Sequence, residues 1–171
     1  GQDNSSKTLW DKHNLLLLKT MIEGSTFGSG GKRSKNFFQG NLAKYLLNHH
    51  NFKNEDDNEL VLLACDLDTA NVSLPIAHFA ESAIHIYDEL ISHQNAEISA
   101  HYFFCQQQKI YFFEQQSFHS KITQKWFQPH KDNNAENLNA LCKHIASLPE
   151  NMPAKEIKAA FREKAQALGS L

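Results

Sequence analysis

Glycine is almost missing from most of this chain. Of the seven glycines, one is Gly1, five fall between Gly24 and Gly40, and the last is Gly169, so none occurs from Asn41 to Leu168. Prolines stand only at 75, 129, 149 and 153. Tight turns between strands call for residues with positive φ, and glycine meets that need at the lowest steric cost. Asparagines can supply a few such turns, but a multi-strand sheet is hard to thread through this sequence. Cysteine is scarce as well. Cys65, Cys105 and Cys142 are odd in number and far apart, which suits small buried residues in a reducing compartment better than a disulfide framework.

Long apolar runs are lacking too. Leu15–Leu18 and Leu60–Cys65 are the longest, far short of the ~20 residues that span a bilayer. Gln2–Lys7 is polar and has no signal-peptide core. No sign of charge dominates: the formal net charge is -2 with 21% charged residues, so there is no global basic field for nucleic acid or anionic lipid. The expected location is the cytoplasm, or the cytosol of a host cell.

What is present is helical periodicity. With 171 residues, 41% of them hydrophobic, the chain can build one domain with a real core. The expectation is a mainly α, single-domain bundle of about six helices over 1–171, with a flexible glycine-rich basic loop at 24–35. The clearest helix runs from Ser73 to His93, where Ile76, Phe79, Ala80, Ala83, Tyr87, Leu90 and Ile91 recur at i, i+3, i+4, i+7. Ser73 can cap its start, and Pro75 is tolerated in a first turn. Thr8–Glu23 reads as the first helix, with Leu15, Leu18 and Ile22 in one stripe and Leu16, Leu17 and Met21 broadening it, which implies burial on more than one side. A second helix follows Lys35 as far as His49, carrying Phe38, Leu42, Tyr45 and Leu46.

Asn51–Asn58 reads as a solvated connection and Glu59–Leu67 as a buried helix rather than a strand. Ala96–Gln128 is read as helix, because Gln106-Gln107-Gln108 is poor turn chemistry and good helix chemistry. The alternative is an α+β fold with a hairpin near 98–114. Pro129–Asn134 reads as a loop, followed by helices over Ala135–Ser147 and Ala154–Leu168.

Three sets of residues invite chemistry. Ser29, Gly30, Gly31, Lys32, Arg33 and Lys35 lie in a flexible loop ahead of a helix N-terminus, where backbone N–H groups and the helix dipole favour an anion. A phosphate-bearing small molecule, such as a nucleotide or phosphoinositide headgroup, fits that description, with Tyr45 or Tyr111 available to stack on a base. It is not a P-loop: Thr26 stands at the first required glycine, and Arg33 follows the lysine in place of Ser or Thr. His78, Glu81 and His85 form the second set, on the polar face of the Ser73–His93 helix. They offer metal-ligand types, but two turns separate the histidines, about 10 Å of rise. A solvated polar stripe is the simpler reading, so no metal or other cofactor is expected.

The third set is Asp66-Leu67-Asp68-Thr69, which resembles the first motif of haloacid-dehalogenase-type phosphatases. That motif wants its threonine one residue later, where Ala70 stands, and it wants a doubly wound α/β pattern. Glu23–Gly28 resembles a kinase glycine loop but lacks flanking strands. Glu156–Ala165 resembles the second helix of J-domain co-chaperones, but His-Pro-Asp does not follow it. Phe27–Leu47 resembles helical segments of type IV secretion effectors of intracellular bacteria, with Leu42-Ala43-Lys44-Tyr45-Leu46-Leu47 as the matching end. That resemblance implies a virulence effector, or an adaptor that handles effectors, with a host or bacterial protein as partner and no particular reaction. The expected function is therefore non-enzymatic protein binding.

Overall fold

The computed structural model describes residues 11–25, 52–94 and 98–170, and helices make up most of them. The basic loop and the helix expected up to His49 lie outside the described residues. The fold is mainly α, and no strand occurs among the described residues. Contacts group the chain into two compact units, Gly1–Thr69 with Ser117–Gln124, and Ala70–Gln116 with Lys125–Leu171.

In the first unit, helix α1 is Lys12–Gly24 and α2 is Glu55–Asp68. Asp11 caps α1 by accepting the Asn14 N–H at 2.7 Å. Asn54 caps α2, and Glu55, Asp56 and Asp57 place negative charge at the positive end of its dipole. Those acids pull the helix start one turn earlier than the solvated connection read from sequence. Asn58 locks the approach, accepting from the Phe52 N–H and donating to the Phe52 carbonyl, both at 2.9 Å. Leu17, Phe52, Val61 and Cys65 form the core of this unit, with Met21 and Leu62 packed against it.

Helix α5 is a later, short helix, Lys121–Trp126, whose first turn belongs to this unit. Asp66 caps it from α2: one carboxylate oxygen accepts from the backbone N–H groups of His119 and Ser120 at 2.7 Å and from the Thr123 hydroxyl at 2.5 Å. The Ser120 hydroxyl accepts the Thr123 N–H at 3.0 Å. A buried carboxylate is tolerable here because several donors meet it at a helix N-terminus.

The second unit is organised by α3 (Ile76–Gln94), α6 (Gln128–Ala146) and α7 (Ala154–Gly169), with α3 and α6 both packed on α7. Ile76, Phe79, Ala80, Ala83, Ile84 and Tyr87 are buried, while Ile91 is exposed, so the buried stripe of α3 ends near Tyr87. Ile157, Phe161 and Ala165 face them from α7, fully buried. Tyr87 packs against Phe103 and Phe104, with ring centroids 5.1 and 5.2 Å away, and Phe104 reaches Phe161 at 4.8 Å.

The Ala100–Gln115 run is helical and forms no hairpin. It opens as α4 (Ala100–Tyr102), capped by Ser99, and continues through π-helical turns at Phe103–Gln107 and Ile110–Gln115. Helix α6 begins at Gln128, which overturns the loop expected over Pro129–Asn134. Pro129 sits in the first turn, where its missing N–H costs nothing. Two of the polar residues that suggested a loop, Lys131 and Asn134, are buried and bonded. Asn134 donates to the Val72 and Leu74 carbonyls, and Lys131 donates to the Gln116 carbonyl at 2.6 Å.

Candidate functional site

Ser29, Gly30, Gly31, Lys32, Arg33 and Lys35 lie outside the described residues, as does Tyr45. Tyr111 is described, and its hydroxyl donates to the Asn71 side chain at 3.0 Å. The histidine stripe of α3 is fully placed. His78 and His85 are exposed. Glu81 receives the Arg162 guanidinium of α7, with Nε and Nη2 at 2.5 and 2.9 Å. That hydrogen-bonded guanidinium holds the Glu81 carboxyl below its ordinary value, and the carboxylate holds Arg162 above its own. Glu81 is thus a helix–helix tether, and no cluster of three His, Cys, Asp or Glu side chains suited to a metal occurs among the described residues.

Asp66 does not behave like a phosphatase nucleophile. It lies within the last turn of a helix, fully buried, with its carboxylate committed to the start of α5. The buried thiols are also poor nucleophiles, since burial pushes Cys65 and Cys142 up to about 12. Lys131 is the one buried cation among the described residues. Its ammonium sits 5.2 Å from the centre of the Phe112 ring and caps the end of the second π-helical turn through the Gln116 carbonyl. Burial pulls it down to about 8, with Asp132 opposing.

The feature with an unmet physical demand is the outer face of α1. Leu17, Thr20 and Gly24, spaced i, i+3, i+7, are buried. Leu15, Leu18 and Ile22 repeat the same spacing on another face and remain 47, 42 and 63% exposed, with Leu16 also open. Burial on more than one side was the expectation; among the described residues, one side of α1 is covered. An unbroken Leu15–Leu18 run puts leucine at four successive 100° steps, so a single packed neighbour cannot cover all of them. That was the signal in the sequence. Lys19 and Glu23 flank the stripe as an exposed i, i+4 pair at 3.6 Å.

A continuous apolar stripe with a polar border is the arrangement expected of a docking face for another amphipathic helix. No helix among the described residues is long and apolar enough to cross a membrane. Comparison with protein-family models, with curated proteins and with solved structures finds no match to this chain.

Proposed function

We propose that this chain is a non-enzymatic protein-interaction module that docks a partner helix on the outer face of α1. The observation that supports it is the open Leu15, Leu18, Ile22 stripe. Burying three such side chains stabilises a complex by roughly 25 cal/mol per Å² of apolar surface removed from water, before the costs of association. Among the described residues, Glu81, Asp66 and the buried thiols are committed to structural contacts or buried. The resemblance of Phe27–Leu47 to helical segments of secretion effectors suggests the kind of module: a bacterial effector whose partner is a protein of the host cytosol.

The test uses a variant with Leu18→Glu and Ile22→Glu. Both positions are exposed, so its melting temperature should stay within a few degrees of the parent. Affinity capture from host lysate and from bacterial lysate should recover a partner with the parent chain and lose it with the variant. Recovery of every partner by both chains would reject the stripe as the docking face.

A further inference from the structure

Two turns of the Ala100–Gln115 helix close at i+5 instead of i+4. Such turns are rare, and they recur where a helix carries function. Their effect here is angular. In an α-helix residues five apart point about 140° away from each other. A turn that closes at i+5 brings them back towards one face. Tyr102 with Gln107, and Ile110 with Gln115, are two pairs of that spacing. All four line one open groove of about 480 Å³, together with Ile98 and Ser99. That volume falls within the range of small-molecule sites.

The chemistry of the lining is specific. Among the described residues, no charged side chain lines the groove. The Ser99 hydroxyl is engaged, since it accepts the Tyr102 N–H at 3.4 Å as the helix cap. Among the described residues, the carboxamides of Gln107 and Gln115 and the hydroxyl of Tyr102 have no hydrogen-bond partner. Elsewhere the glutamines Gln124 and Gln128 bond to a neighbouring carbonyl and carboxylate. A carboxamide presents a donor beside an acceptor in one plane, the complement of another amide edge or of a nucleobase edge. Ile98 and Ile110 supply apolar surface for the faces of a planar group. A ligand charged at the contacting edge would lose hydration there without a counter-charge.

We propose that the groove along the two π-helical turns binds a small uncharged molecule with an amide-type edge, as carried by a nucleobase or a primary carboxamide. Gln107 and Gln115 read the edge, and Tyr102 adds a further hydrogen bond. The probes are adenosine and nicotinamide, each paired with a counterpart that lacks the edge: purine riboside, without the exocyclic amine, and nicotinate. Titration is followed through the side-chain NH2 resonances of the glutamines by NMR. At least one of adenosine and nicotinamide should shift Gln107 and Gln115 saturably, and which of them does so separates the base from the carboxamide. Its counterpart should bind about tenfold or more weaker. A Gln107→Leu, Gln115→Leu variant, with an unchanged circular dichroism spectrum, should lose affinity by a similar factor. The proposal is overturned if neither probe saturates at millimolar concentration, if the counterpart binds as tightly, or if the double variant keeps its affinity.

Discussion

Two buried polar residues show how a single side chain is decided by partners distant in sequence. Asp66 lies in a run that resembles a catalytic motif, yet its carboxylate receives donors from residues 53 to 57 positions later. Nothing local announces those donors, so its role could not be read from the sequence. Asp66→Ala leaves buried N–H groups without an acceptor and should cost on the order of 3 kcal/mol in urea unfolding, with Asp66→Asn costing less. Lys131 was hidden in the same way, in a stretch whose polarity suggested a solvated loop. Its folded value near 8 lies below the ordinary 10.5, because burial disfavours the ammonium. Between those values the unfolded chain holds the proton that the folded chain has released, so stability gains as pH rises. Against a Lys131→Met reference, the parent should gain on the order of 1–3 kcal/mol between pH 7 and pH 10, measured by paired denaturation curves. A pH-independent difference would contradict the burial of the ammonium.

At the scale of elements, periodicity carried what local physics determines. α7 was expected over Ala154–Leu168 and occupies Ala154–Gly169, with Ile157, Phe161 and Ala165 inward as their spacing requires. The early start of α6 is not legible because Pro129 and the five polar residues after it look like a breaker until Asn134 and Lys131 find carbonyls. The π-helical turns were not legible at all. Adjacent Phe103 and Phe104 are both buried, and α-helical spacing alone gives no reason to widen the helix there.

Two contacts hold α7 by different physics, and their magnitudes separate them. Phe161 is wholly buried against Phe104, so Phe161→Ala should cost about 3–5 kcal/mol. The Arg162–Glu81 pair is well exposed, so Arg162→Ala should cost less than about 1 kcal/mol. Chemical denaturation of both variants checks the ranking, and equal losses would mean that the ion pair carries more than solvent screening permits.

For the whole molecule, the glycine-free stretch from Asn41 to Leu168 translates, among its described residues, into helices joined by short connections, with no strand. What the sequence could not reveal is coverage: which of the several apolar faces of α1 finds a neighbour depends on tertiary contacts. Among the described residues, Leu17 found one and Leu15, Leu18 and Ile22 remain exposed. The uncovered stripe is the central claim, and hydroxyl-radical footprinting of the free chain reads it directly. Leu15, Leu18 and Ile22 should be oxidised as fast as exposed Leu67 and Leu74, while Leu17 and Val61 stay protected. A stripe as protected as Leu17 in the free chain would contradict the docking face outright.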